Sequence, residues 1–330
     1  MQKQNTERPP PWQGPLPPRQ PGWRLRDRGY LAHQAAMKVE FLSDELMQGP
    51  PSHTAQDLRQ PRLRKCPFSL DNVIWRSFKR LGVGHDGCVW KVKFKNEGTF
   101  VLKVFWEWEP YQDSYGYFAP QRECQNAAVL QMTEAALQEG PVHIPRQYPN
   151  ILDDAIDNLL AFSVPRENAE QSLGDGSTGV VLSHQPPFPK CYGWLDFDGK
   201  LINRLPITER PLPLKRNHPP RDMDTTHTYH AIVYEYIPEE ENKPELVRAA
   251  LWYLFYIGFS CSGSPRIENW KGGRLIDFSD FIFPGGVAWT SYRYGSASTE
   301  RSLLPDSGEE ELAKWDVNRN PRSMYRRGGG

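Results

Sequence analysis

No run of eighteen apolar residues occurs anywhere in the 330-residue chain, which argues against a membrane-spanning helix. Net charge is missing as well. Forty lysines and arginines face forty aspartates and glutamates, so the molecule as a whole has no field to recruit nucleic acid or an anionic membrane. The basic stretches that do occur lie in proline-rich segments and not on one periodic face. Met1 to Gln20 has no apolar stretch, which excludes a secretory signal there. The five cysteines (Cys66, Cys88, Cys124, Cys191, Cys261) form no C-x-x-C pair and have no zinc-ligand spacing, and no pair of the eight histidines is spaced for a structural metal. Scattered thiols of this kind read as free cysteines in a reducing compartment, nucleus or cytoplasm.

What is present divides the chain into three expected parts. Residues 1–66 are rich in proline, arginine and glutamine and bury too little apolar surface to offset chain entropy, so a disordered tail is expected. Within it, Leu31, Ala35, Val39, Leu42 and Leu46 recur at near-helical spacing and predict a short amphipathic helix over Tyr30 to Met47. Residues 67–285 carry the ordered domain, with polar inserts near 164–188 and 204–228, and 286–330 form a polar C-terminal tail. Asn72 to Lys79 reads as a first strand. Cys88 to Lys95 alternates, with Trp90, Val92 and Phe94 on one face and lysines on the other, and Phe100 to Trp106 follows as its hairpin partner. Glu123 to Leu137 predicts a helix with Pro120 before it, and Asp153 to Phe162 a shorter one. Lys190 to Asp196 and Gly199 to Ile202 read as a hairpin. Ala231 to Ile237 reads as an apolar strand, Pro244 to Phe259 as an apolar helix, and Arg274 to Phe278 as a short strand after a Gly272-Gly273 turn. This order predicts an α+β fold with an antiparallel sheet first.

The strongest motif is Gly82-Val83-Gly84-His85-Asp86-Gly87-Cys88-Val89, which fits G-x-G-x-x-G-x-V at every fixed position. A dinucleotide fingerprint must open a helix. Here the following residues alternate like a strand and close as a hairpin, the arrangement in which bare glycine backbone lies over nucleotide phosphates. The bland alternative is an ordinary glycine hairpin. Lys103 stands inside the apolar strand Phe100 to Phe105, twenty-one residues after Gly82. An ammonium in such a run needs a partner, since burying it alone is costly. Its place suits a lysine that bridges α- and β-phosphates. Glu123, in the helix after that strand, is the expected carboxylate partner, with Glu134 as the fallback.

These motifs, together with Arg122-Glu123-Cys124, Lys190-Cys191-Tyr192-Gly193-Trp194, Ala231 to Ile237 and Gly273 to Ser279, resemble the fungal protein-kinase-like family often labelled a kinetochore complex subunit of the Fta type. The resemblance covers about residues 68–285 and implies a protein-kinase-like fold, with an antiparallel-sheet lobe carrying one helix and a minimal helical second lobe. It implies ATP with Mg2+ as cofactors and Gly82, Gly84, Gly87, Val89, Val101 and Lys103 around the nucleotide. Tyr234 would guard the pocket, with the main chain of Glu235 to Ile237 against adenine. Asp277 and Asn269 would hold magnesium, with Ser279 in place of a glycine. Lys103, Glu123 and Asn269 would form what remains of the catalytic set.

One departure matters more than the matches. Kinases place their base in H-R-D-x-x-x-x-N. Counting back from Asn269, the matching stretch is Ser262 to Asn269, and Ser264 occupies the position of the aspartate. Serine cannot take a hydroxyl proton at neutral pH, so a contribution of roughly a hundredfold or more is lost. Asp280 and Glu268 are candidate substitutes that spacing alone does not separate. The expectation is therefore a pseudokinase that binds ATP and protein partners, with an atypical active kinase and a kinetochore adaptor as alternatives.

Overall fold

The computed structural model describes residues 34–110, 117–147, 149–164, 180–214, 221–262, 266–291 and 293–294. Its frame is a seven-stranded, mostly antiparallel sheet. The strands are β1 (Leu42–Leu46), β2 (Leu63–Lys65), β3 (Lys79–Val83), β4 (Gly87–Phe94), β5 (Gly98–Phe105), β8 (Cys191–Asp198) and β9 (Thr228–Glu235). They lie in the order β1-β2-β8-β9-β5-β4-β3. Only β1–β2 and β2–β8 pair in parallel. The remaining described helices are α1 (Ala55–Arg59), α2 (Ala119–Glu139), α3 (Leu152–Leu160) and α4 (Pro244–Tyr256). Three two-stranded ribbons complete the described fold: β6 (Val142–Ile144) with β7 (Val180–Leu182), β10 (Ser260–Cys261) with β13 (Phe281–Ile282), and β11 (Trp270–Lys271) with β12 (Arg274–Leu275). None of the described helices is long and apolar enough to cross a membrane.

Alternation along β4 and β5 sorts side chains to two faces. Trp90, Val92, Phe94, Phe100, Leu102 and Val104 join one buried cluster. Phe105, Ile232, Tyr234 and Trp194 join a second, which also takes in α2 and α4. The first cluster is roofed by residues 66–78 and by the segment after Gly199, through Ile202, Leu205 and Met223. Both faces of the sheet are therefore covered.

The structure differs from the sequence expectations in several places, among them Arg274 to Phe278, which is strand only at Arg274–Leu275. The sheet begins before residue 67, because β1 and β2 lie on its edge within the stretch expected to be disordered. Across Tyr30 to Met47 the described part holds a helical turn only at 34–37, followed by β1, whose Leu42 and Ser43 pair with Leu63 and Arg64 before the register shifts at Leu46. Asn72 to Lys79 is two 3-10 turns, Leu70–Asn72 and Trp75–Ser77, with Trp75 stacked on Phe78 at 5.2 Å, and the strand starts only at Lys79. Gly199–Arg204 is also a 3-10 turn, so β8 finds its partner in β9, with Asp198 opposite Thr228.

Helix α2 starts at Ala119 with a proline in its first turn and is buried along nearly its whole length. A helix enclosed on all sides can carry polar residues only if each finds a partner. Gln121 donates to Ala36 O at 2.7 Å, and Gln131 to Cys191 O at 2.9 Å. Asn126 Nδ2 donates to Phe281 O at 2.8 Å and Phe278 O at 3.2 Å, while its Oδ1 accepts from Phe283 N–H. That one side chain fastens the segment after Asp277 to the helix. Phe278 O keeps the Phe281 N–H at 3.1 Å, so Asn126→Ala takes the partner from Phe281 O and the Phe283 N–H and is expected to lower stability by about 2–3 kcal/mol, measured by chemical denaturation.

Candidate functional site

The turn between β3 and β4 is a tight hairpin in which Gly84 N–H donates to Gly87 O at 2.9 Å. Trp106 holds it from below, its indole donating to Gly84 O at 3.0 Å and its amide to Asp86 O at 3.0 Å. Arg221 reaches its tip from the side, with Nη1 donating to His85 O at 2.6 Å and Nη2 paired with buried Glu107 at 3.3 Å.

The three glycines of the turn have different reasons to be glycine. A Cβ on Gly87 would stand 2.2 Å from Val104 O, so the packing of β4 on β5 requires glycine there. At Gly82 a Cβ would meet nothing within 4 Å, and at Gly84 only Gly87 O at 3.9 Å. Neither Gly82 nor Gly84 has the positive φ that would itself demand glycine. Among the described residues no packing contact accounts for these two glycines.

Lys103 pairs with Val89 across β4 and with Ile232 across β9, which turns its side chain toward the face that α2 covers. It is 4% exposed. Its Nζ lies 2.5 Å from Glu123 Oε2 and 3.0 Å from Asp277 Oδ1. Burial alone would lower its pKa. The carboxylates of Asp277, Glu123 and Asp86 outweigh that and hold the lysine pKa well above its ordinary value. Glu123 sits in the second turn of α2 and is 1% exposed. Its other oxygen accepts from Tyr234 Oη at 3.1 Å. Burial raises its pKa to about 7 against the pull of Lys103. Asp277 is also pushed up by burial, but Lys103 and the Ser279 N–H, at 3.0 Å from Oδ1, win and hold it below the usual carboxylate range.

Beside this triad lies a second cluster. Asn269 Nδ2 donates to Asp280 Oδ2 at 2.8 Å, and Arg266 N–H to the same oxygen at 3.1 Å. Val89 and Val101, on the Lys103 face, are half-buried. Ile237 follows the last residue of β9 by two, and its N–H donates to none of the described residues. The Glu235 side chain is turned to Lys190 N–H at 3.1 Å and Arg274 at 3.6 Å.

The structure thus brings together Lys103, Glu123 and Asp277, and brings Asn269 onto Asp280. Glu134, the fallback partner, is exposed and lines a cavity of about 540 Å³ behind α2 instead. Glu268 is exposed with no ion pair among the described residues. Ser264 lies outside the described residues. Sequence reasoning missed Asp86, which is buried in the turn and accepts from Tyr117 Oη at 2.6 Å. It also missed the place of Arg122, stacked 3.5 Å over the Tyr117 ring and donating to Ser279 O at 3.2 Å. An acid inside a glycine turn was the signal available for the first; Arg122 had none beyond its neighbour Glu123.

The described residues contain no cluster of three His, Cys, Asp or Glu side chains arranged for a metal. Asp277 and Asn269 are the residues expected to hold magnesium, a cation that takes one or two protein ligands and completes its shell with phosphates and water. No protein-family model, curated protein or solved structure matches this chain.

Proposed function

We propose that this chain is a protein-kinase-like module that binds ATP with magnesium, transfers phosphate poorly, and acts mainly through contacts with other proteins. The observation that carries this reading is Lys103 held at once by Glu123 and Asp277, in register through Val89 with Gly82 of the glycine turn. Protein kinases require the same combination: a lysine from the third strand paired with a helix glutamate, a magnesium-binding aspartate, and a glycine turn over the phosphates. The element order from the turn to Asp277 supports it through β4, β5, α2, β8, β9, α4 and the β11–β12 hairpin, with β6, α3 and β7 interposed between α2 and β8 and β10 before β11.

In this reading Val89 and Val101 flank the adenine, and the N–H of Ile237, which donates to none of the described residues, meets its acceptor nitrogen. Lys103 neutralises the α- and β-phosphates, and Glu123 and Tyr234 hold Lys103 in place. Bound magnesium would bridge phosphate oxygens and offset their charge. Slow turnover follows from the sequence, because Ser264 stands where the base belongs.

Mg·ATP is expected to raise the melting temperature of the wild-type protein in proportion to the logarithm of its concentration. At a hundred times Kd the stabilisation is about 2.7 kcal/mol. Absence of any shift at millimolar Mg·ATP contradicts the nucleotide reading.

A further inference from the structure

We propose that residues 205–214 and 221–223 form a strap that clamps the glycine turn and sets how fast nucleotide passes beneath it, with Arg221 as its catch. The inference rests on the nucleotide reading above and adds to it the control of entry and exit.

Strand β3 leads into the turn and is the outermost strand of the sheet, so one side of its main chain has no strand to pair with. The strap takes that place. Arg80 N–H donates to Glu209 Oε2 at 2.5 Å, and the Arg80 guanidinium donates to Arg210 O. One strand further in, the Trp90 indole donates to Glu209 O at 2.7 Å. Leu205 and Met223, at the two ends of the strap, are buried in the cluster that holds Trp90. Between them Leu214 and Arg221 exchange main-chain hydrogen bonds of 2.9 and 3.3 Å, and the returning chain brings Arg221 to the turn.

Arg221 makes two contacts at once. One amino group donates to His85 O at the tip of the turn, at 2.6 Å, and the other pairs with Glu107 Oε1 at 3.3 Å. Glu107 is buried and follows Trp106, whose indole and amide hold Gly84 O and Asp86 O. The catch therefore ties the tip to the stretch that already supports the turn from below. A planar guanidinium can span two acceptors in this way, whereas a lysine ammonium is a single compact head. In the nucleotide reading the phosphates pass under Gly82 and Gly84 when the tip lifts, and lifting it parts His85 O from Arg221. Opening of such a loop commonly limits ligand exchange. Tyr117 Oη holds Asp86 by a separate contact at 2.6 Å, which removal of the catch leaves in place.

The test uses the full-length protein. Hydrogen–deuterium exchange without nucleotide follows the amides of Gly82 to Val89, among them Gly84 N–H, which is bonded to Gly87 O at 2.9 Å. Arg221→Met combined with Glu107→Gln removes the catch together with both charges of its buried pair. This variant is expected to raise exchange across the turn about tenfold, the size of one hydrogen bond from a charged donor, with β8 and β9 unchanged. Stopped-flow mixing with magnesium and a fluorescent ATP analogue is expected to show association and dissociation each about tenfold faster, with Kd changed less than threefold. Should the double variant not fold, Arg221→Lys, which keeps a cation for Glu107 and is expected to behave the same way, decides. Unchanged exchange across the turn overturns the clamp, as does a rise shared equally by β8 and β9, which marks general destabilisation. Faster exchange with wild-type association and dissociation rates overturns the control of entry and exit. These results leave nucleotide binding standing. A wild type that binds no analogue removes the nucleotide reading, and the control of entry with it, whatever the exchange shows.

Discussion

Lys103→Ala is expected to lower the stability of the protein by about 3–5 kcal/mol and to abolish Mg·ATP binding. The stability loss follows from what remains behind. Glu123 is enclosed on every side and Asp277 lies beside it, and their shared cation is the only lysine in contact with either among the described residues. Removing one member of a buried ionic cluster leaves the others without compensation, which costs more than the cluster contributed. The deficit also has a defined pH dependence. In the wild type the raised lysine pKa contributes stability that is complete below pH 10.5 and is lost only above it, so this contribution is constant through neutral pH. Asp277, with a lowered pKa, contributes stability above pH 3.8 that is lost as pH falls through its folded value. Glu123 behaves in the opposite sense: its raised pKa favours the fold most below pH 4.5, and that contribution is lost as pH rises through about 7. Without Lys103, Glu123 loses the attraction that opposes burial and holds its proton still more tightly. The gap between wild type and Lys103→Ala is therefore smaller at pH 5.5 than at pH 8, measured by denaturation at both. A gap independent of pH would mean that Glu123 does not depend on Lys103.

Valine at Gly82 or Gly84 is expected to weaken Mg·ATP binding at least tenfold while changing stability by less than about 1 kcal/mol. Both positions have room for a Cβ and an ordinary backbone conformation, and Gly82 is in a strand, where valine is the better residue. Alanine at Gly87 gives the reverse pattern. Its Cβ runs into Val104 O, and overpacking of this kind costs about 1–3 kcal/mol. An ordinary hairpin predicts that valine at Gly82 or Gly84 affects nothing. The separation of binding from stability across one turn is what marks a ligand cradle.

The place of these residues was legible because local patterns and chain order carried it. Lys103 inside an apolar strand, a glycine turn before it and a helix after it confine the lysine and Glu123 to one another's reach, and the structure puts them 2.5 Å apart. Asp277 was reached only through the resemblance carried by Gly273 to Ser279; the Gly272-Gly273 turn that closes β11 on β12 lies just before it. Strands β1 and β2 were not legible, because short polar strands among prolines have no periodicity strong enough to separate them from a tail; the sheet edge they lie on supplies their order. The partner of β8 was also hidden, since β9 comes thirty residues later and a local hairpin looked equally good. Nor does spacing tell that residue 280 meets Asn269. That contact is made by two-residue strands, β10 and β13, too short to leave a pattern.

The central claim is tested most directly by a crystal structure of the protein with magnesium and a non-hydrolysable ATP analogue. The account predicts phosphate density beneath Gly82 and Gly84, within hydrogen-bonding distance of Lys103 Nζ, with a metal on Asp277 and the adenine against Ile237 N–H. An empty cleft at saturating analogue, or a nucleotide bound away from Lys103, would contradict it.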